Sequence, residues 1–353
     1  MPVDKDKTTR IDSAERLNQK PRQPRSPNPS RPGPSGAGVR VDMKLGFSCN
    51  NRCRFCVQGD KRSRFPDLST QEVKKRLEAA RRHSDEVVFT GGEVTIRKDL
   101  VELVACAKEL GFRLIQIQTN GRMLAYGKLV DALVQAGATE FSPALHGHRP
   151  ELHDYLTRSK GSFEQTLKGL KNLAKRRLPV ITNTVLTRSN YRHLEPLAEL
   201  LVENGVTQYQ FAFVHALGSA KDDFYNVVPR MELLAPYLMQ GLEVGRRAGV
   251  RCTTEAIPPC ILPGYEGHLA EWVLPDARIY DAKKILESYA SYRVNEGKAK
   301  GPRCSSCGWN AVCEGPWREY PEHFGWEEFV PVNRAVCEER SALLDRWVQE
   351  LGR

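Results

Sequence analysis

Apolar positions recur along this chain in two alternating rhythms. A first short run opens at Val41, and others cover Val87-Val88-Phe89, Leu114 to Gln118, Phe141 to Leu145, Val180 to Leu186 and Tyr209 to Val214; their length and β-branched or aromatic content predict strands. Between them the apolar residues take helical spacing. The first such stretch begins at Ser69 with Glu72 three residues on, a capping box, and carries Val73, Leu77 and Ala80 on one face. Gly111, Gly137, Gly205 and Gly249 each stand between a helical stretch and the next strand, where a left-handed residue closes a helix.

Strand, helix and parallel strand in regular order imply a wound parallel sheet with helices outside. About six units fit between residues 41 and 250, fewer than a full eight-unit barrel of about 250 residues needs. The expected fold class is therefore α/β, a partial (β/α)6 TIM-type barrel over 41–250 with an apolar interior. A small cysteine-rich domain over 251–353 follows it, and a basic, disordered, proline-rich tail over 1–40, with almost nothing apolar to bury, precedes it. In such barrels the site forms at the C-terminal ends of the strands. The residues there are polar: Cys49, Gly91-Gly92-Glu93, Thr119-Asn120-Gly121 and His146 follow the first four strands, Asn183 lies inside the fifth, and His215 follows the sixth.

The formal net charge is +10, but residues 1–40 hold nine Lys/Arg against four Asp/Glu, so half of the excess sits in the tail. The remainder is only mildly basic, which speaks against a nucleic-acid partner and makes the tail a solvated leader before it is an RNA or acidic-partner contact. No run of about 18 apolar residues and no apolar leader segment occurs, so a cytoplasmic protein without a membrane partner is expected. In a reducing compartment the ten cysteines, grouped at 49/53/56 and 304/307/313, suit metal ligation rather than disulfides.

Cys49, Cys53 and Cys56 bring three thiolates onto one loop. A [4Fe–4S] cluster takes four ligands, so one iron would be left for a small molecule that chelates through an amine and a carboxylate. Structural zinc wants a closed tetrahedral set, and the loop has no fourth Cys or His; zinc or inert thiols are the competing reading. Cys304, Cys307 and Cys313 are spaced for shared ligation of either a cluster or zinc. Cys106, on the helix between Lys98 and Leu110, reads as a small buried hydrophobe. Trp309, Trp317, Tyr320 and Trp326 read as a small core around the metal, with substrate stacking as the alternative.

Cys-Asn-Asn-Arg-Cys-Arg-Phe-Cys at 49–56, followed by Thr90-Gly91-Gly92-Glu93, resembles the signatures of the radical S-adenosylmethionine (SAM) superfamily, and the likeness covers about residues 41–215. It implies that Cys49, Cys53 and Cys56 hold a [4Fe–4S] cluster and that SAM binds its open iron. It also implies that Gly91, Gly92 and Glu93 hold the SAM ammonium, that Phe55 packs near the adenine, and that Asn120 and Asn183 belong to the SAM site. Leu152-His153-Asp154 through Gly161-Ser162-Phe163 is similar to the subgroup with the molybdenum-cofactor cyclase and peptide-modifying enzymes. Many of that subgroup carry an acid after the fourth strand. This chain instead has Leu145-His146-Gly147-His148, which makes His146 a candidate proton donor or ribose partner, an ordinary hydrogen-bonded histidine being the alternative; His148 and His215 stand behind it.

The C-terminal cysteines resemble SPASM or twitch extensions, which implies one auxiliary [4Fe–4S] cluster with Cys260 as fourth ligand; Cys252, Cys337 or an open position are the alternatives. The implied activity is reductive cleavage of SAM to methionine and a 5′-deoxyadenosyl radical that takes hydrogen from a peptide or small biosynthetic intermediate, fed by a flavodoxin- or ferredoxin-type electron donor. The competing classes are a non-catalytic iron–sulfur redox sensor or nucleic-acid-binding protein, against which the Gly-Gly-Glu motif argues, and a radical SAM enzyme that modifies RNA or cyclises a cofactor.

Overall fold

A computed structural model describes residues 39–341, so the tail expected over 1–40 lies outside the described residues except for its last two. The first βα unit is β1 (Arg40–Lys44) with α1 (Thr70–Arg81). The Ser69 hydroxyl accepts from Glu72 N at 3.3 Å, and the Glu72 carboxylate accepts from Ser69 N at 2.8 Å, so the capping box is formed in both directions. Then come β2 (Glu86–Thr90), α2 (Leu100–Glu109), β3 (Leu114–Thr119), α3 (Gly127–Ala136) and β4 (Glu140–Pro143). Two helices, α4 (Pro150–Thr157) and α5 (Ser162–Lys175), lead to β5 (Ile181–Leu186), which is followed by α6 (Leu194–Glu203), β6 (Gln208–Phe213) and α7 (Met231–Ala248). Every strand expected up to residue 214 is present within one or two residues of its expected bounds.

The sheet does not stop there. After Gly249 the chain forms β7 (Arg251–Glu255), parallel to β6, and then β8 (Ala277–Tyr280), which returns to pair in parallel with β1 and carries the short antiparallel β9 (Ile285–Leu286). The ladders run β4-β3-β2-β1-β8-β9 and β5-β6-β7, and parallel bridges Phe141–Val180 and Ala144–Asn183 join β4 to β5. Eight strands thus run parallel, and two of them come from beyond residue 250. Two short helices, α8 (Tyr289–Tyr292) and α9 (Glu319–Phe324), stand among the turns of the C-terminal segment.

Residues on each strand alternate between two surroundings. Val41 and Met43, Val87 and Phe89, Ile115 and Ile117, and Tyr209 and Phe211 are buried in the apolar core that packs against the helices. The opposite face carries Lys44, Gln118, Asn183 and Glu255, all on the wall of a central cavity. The same wall carries Phe55, Val185, Phe213, Ile279 and Trp317, so the polar groups are set into a largely apolar interior. Among the described residues no helix is long and apolar enough to cross a membrane.

Candidate active site

The loop after β1 is fastened before it reaches its cysteines. Leu45 N donates to Thr90 O at 2.9 Å, and the Asp67 carboxylate accepts from Phe47 N at 2.8 Å and Ser48 N at 3.1 Å. The loop after β2 then docks on it, Gly92 N donating to Gly46 O at 2.9 Å and Glu93 N to Ser48 O at 2.8 Å. From α4, Thr157 O and Leu156 O accept from Arg52 N and Arg54 N, each at 2.9 Å. Arg122, which lies in no motif, ties this assembly together: its guanidinium donates to Asn50 O, to Asn51 Oδ1 at 2.9 Å, to Ser159 Oγ at 2.9 Å and to Gln165 Oε1 at 2.6 Å.

Cys49, Cys53 and Cys56 all line the cavity of about 620 Å³ that these loops enclose. Burial pushes the Cys49 and Cys53 thiols up, and at Cys53 the neighbouring Cys56 and Cys49 add to it. Three thiols on one cavity wall are a donor set for a positive centre. Asn51 N already donates to Cys49 Sγ at 3.4 Å, the kind of outer hydrogen bond that supports a ligating sulfur. Among the described residues no group of three or more His, Cys, Asp or Glu side chains is arranged to hold a single metal ion. A tetrahedral zinc, bound at about 2.3 Å by each sulfur, requires thiols within roughly 4 Å of one another; a cubane spreads them wider.

Gly91, Gly92 and Asn120 are on the same wall. Glu93 is not: it is 2 % exposed, and its carboxylate accepts from Thr95 N at 3.0 Å, from the Thr95 hydroxyl, from Thr119 Oγ1 at 2.6 Å and from Asn120 N at 2.5 Å. With four donors engaged, this carboxylate braces the wall from behind. The Asn120 side chain in turn donates to Asn50 Oδ1 at 2.6 Å and accepts from Arg122 N at 3.1 Å. Asn183 differs, because its Oδ1 is buried with no hydrogen-bond partner among the described residues while the residue lines the cavity. A buried amide oxygen left open asks for a donor from whatever fills the space.

Phe55 meets His146 edge-on with ring centroids 4.6 Å apart, and both line the cavity. Val185 N donates to His146 Nδ1 at 3.3 Å, so the neutral ring carries its proton on Nε2. Burial holds its pKa well below the ordinary value, and His153 adds to that. His148 lies off the wall beside His193, centroids 5.2 Å apart. His215 lines the cavity, stacked on Trp317 at 3.9 Å with Nε2 3.4 Å from Glu319 Oε2.

The second cysteine set gathers on turns of the C-terminal segment. Burial pushes the Cys260 thiol up to about 12, with Cys313, Cys307 and Cys304 contributing in that order, which brings Cys260 into the set. Cys313 Sγ accepts from Gly315 N at 3.3 Å, and Cys307 Sγ from Val332 N at 3.4 Å. Cys252 is elsewhere, bonded to Leu242 O at 3.2 Å and near His268 Nδ1 at 3.5 Å between β7 and α7. Cys337 is buried beside Gly308 and close to Cys307. Cys106 is half-buried against the core. Of the four aromatics expected around this centre, Trp309 packs on Trp272, Tyr320 on Phe213 and Trp326 on Phe329, while Trp317 forms part of the cavity wall. Glu255, Asp281 and Tyr289 also line the cavity and lay outside every sequence motif.

Residues 43–201 match the model of the radical SAM superfamily. The chain is 29% identical over 175 residues to the AdoMet-dependent heme synthase of Oleidesulfovibrio alaskensis, covering 49% of this chain and 45% of that protein. It is 28% identical over 185 residues to the probable GTP 3′,8-cyclase of Sulfurisphaera tokodaii, covering 52% and 58%. The chain therefore spans about half the length of the curated relatives it matches. Among solved structures, Streptococcus suis SuiB bound to S-adenosylmethionine superposes with a TM-score of 0.57 at 16% identity, covering 85% of this chain and 77% of that one. SuiB bound to its precursor peptide SuiA gives a TM-score of 0.55 at 16% identity over 79% of this chain and 72% of that one. The cysteine loop and the glycine pair docked against it both lie in the segment, residues 43–201, that matches the radical SAM superfamily model, and over that segment the chain is similar to that superfamily.

Proposed function

We propose that this protein is a cytoplasmic radical SAM enzyme that modifies a peptide. Cys49, Cys53 and Cys56 would hold the SAM-binding [4Fe–4S] cluster, and Cys260, Cys304, Cys307 and Cys313 an auxiliary one. The observation that carries this reading is one cavity lined by the three thiols, Gly91, Gly92, Asn120, Asn183 and His146, extended by Trp317 and Tyr289 from the C-terminal segment. Bound there, cluster and SAM supply one-electron cleavage of the sulfonium and hydrogen abstraction from the substrate.

The chain's own residues bind, orient and exclude water. The backbone at Gly91 and Gly92 approaches the cysteine loop closely enough to leave its remaining polar atoms to SAM, Asn183 Oδ1 offers an acceptor, and Phe55, held edge-on by His146, offers an aromatic surface against which a purine ring packs. The His146 Nε2–H is positioned as a hydrogen-bond donor to the ligand, with a low pKa that keeps the ring neutral at physiological pH. A peptide is favoured because the likeness to SuiB, whose complex holds the precursor peptide SuiA, extends over 79% of this chain and takes in the C-terminal segment. The heme synthase and GTP cyclase similarities stop at about half the chain, and they favour the second reading, a small biosynthetic intermediate.

The test is anaerobic reconstitution, reduction with dithionite or a flavodoxin-type donor, and chromatography of 5′-deoxyadenosine formed from SAM. Cleavage that is lost in C53S is the expected result. Assembled clusters that leave SAM intact under strong reductant would make the protein an iron–sulfur sensor instead.

A further inference from the structure

The cavity has a second polar end, away from the cysteine loop. Glu255 closes β7 and lines the cavity near Tyr289. Gln210 Nε2 donates to its Oε2 at 2.8 Å. Behind it is a buried ionic network: Lys298 Nζ is 2.6 Å from Glu271 Oε1 and 2.9 Å from Glu314 Oε2, and Arg293 reaches the two oxygens of Glu314 at 2.9 and 3.0 Å. Glu271 Oε1 also accepts from Ala256 N at 2.7 Å, which ties this network to the residue after Glu255.

Glu255 is therefore faced by the carboxylates of Glu271 and Glu314, the cations of Lys298 and Arg293, and the Tyr289 phenol. Three carboxyls stand against two cations, and both cations are bonded to Glu271 or Glu314. Glu255 is the member left without one, and it is the member on the cavity wall. Burial first, and then Glu271, pushes its carboxyl up, as expected of a buried carboxylate that no cation meets.

We propose that Glu255 is the specificity residue for a cationic group on the substrate, a primary ammonium or a guanidinium, which completes the charge balance of this network. The proposal rests on the reading of the cavity as the substrate site. The entering cation pairs with the Glu255 carboxylate, while Gln210 holds the side chain in place. In a peptide substrate this selects a lysine, an arginine or a free N-terminus near the modified residue.

The test uses the full chain, reconstituted anaerobically and saturated with S-adenosylhomocysteine so that the SAM ammonium site is filled. n-Butylammonium and N-butylguanidinium are titrated by calorimetry at neutral pH, with n-butanol and butyrate as uncharged and anionic counterparts. The expected result is binding of at least one cation and little binding of the counterparts. E255Q should weaken the cation at least tenfold, whereas E255D, which keeps a carboxyl on a shorter stem, should bind it at reduced affinity. Equal affinity in E255Q, no binding of either cation, or equal binding of n-butanol overturns the proposal. Should E255Q fail to fold, an affinity in E255D equal to that of the parent overturns it as well. Failure of the enzyme reading is separate: it appears as absent 5′-deoxyadenosine formation by the unsubstituted protein and leaves the calorimetry unaffected.

Discussion

Gly91 and Gly92 are glycines because of what lies against them. A Cβ on Gly92 would sit 2.2 Å from Ser48 O and 2.6 Å from the Phe47 carbonyl carbon, and one on Gly91, whose φ is +133°, would sit 2.3 Å from Gly46 O. These are backbone atoms of the loop that delivers Cys49, so they cannot yield as the end of a flexible side chain would. Gly92→Ala should force that loop away and cost about 1–3 kcal/mol of stability, as overpacking at a tight contact does. Iron analysis and urea unfolding check this: the variant should lose the iron of the first site and keep that of the C-terminal one. Retention of both sites would detach the glycine from the loop. The spacing of the motif is legible in the sequence, and the inward or outward aim of its acid is not. Glu93 turns away from the cavity because Thr119 and Asn120, from the next strand and its loop, offer it donors that no local pattern announces.

Elements show the same division between local and distant determinants. The strands through β6 are readable because each is an apolar run followed by an amphipathic helix, most of them with a glycine stop. β7 reads Arg-Cys-Thr-Thr-Glu and has no such run; Thr253 and Thr254 are nevertheless buried, with the Thr254 hydroxyl satisfied by Phe211 O at 2.9 Å. β8 finds β1 across most of the chain, a pairing that local periodicity does not encode, so Glu255 and Asp281 at the ends of these strands were missed. Asp281 clamps this pairing, accepting from Lys44 at 2.8 Å and Lys61 at 3.0 Å. Burial raises its carboxyl, but the bonds from Lys44 and its neighbours outweigh that and hold it at about 2. A carboxyl depressed in the folded state stabilises fully above its unfolded value of about 3.9, and that contribution is lost as pH falls toward the folded value. Asp281→Asn should accordingly lower stability by roughly 1–3 kcal/mol at pH 6, where largely buried Lys44 loses its charged partner. Urea unfolding should show the gap between variant and parent closing from pH 4 toward pH 2. A gap that stays constant over that range would take the pH dependence away from Asp281.

At the scale of the whole molecule, the sheet and the C-terminal segment form one continuous wall, because β7 and β8 belong to the sheet while Trp317, Tyr289 and the network behind Glu255 come from the segment around them. Lys298 is shared: it pairs with Glu271 below β7 and with Glu314, the residue after Cys313, and its ammonium lies 5.2 Å from the Trp317 ring. Charge at the second cysteine set is thereby felt near the cavity, a coupling that an auxiliary cluster would exploit and that a remote zinc knot would not require. Counting metal separates the two centres. If both hold cubanes, the reconstituted chain should contain about eight irons and no stoichiometric zinc, with Cys49→Ser and Cys260→Ser each retaining about four. The two half-loaded variants should differ in which half survives: only Cys260→Ser should keep a reduced-cluster spectrum that changes when SAM is added. Cys252→Ser should retain about eight irons, because that thiol bonds to Leu242 O between β7 and α7, away from the ligand set. Cys337 is the informative remaining position, since it lies beside Cys307 without belonging to the group that Cys260 completes. Full iron in Cys337→Ser alongside half in Cys260→Ser fixes the fourth ligand; the reverse pattern would move it to Cys337, beside Gly308 and Cys307.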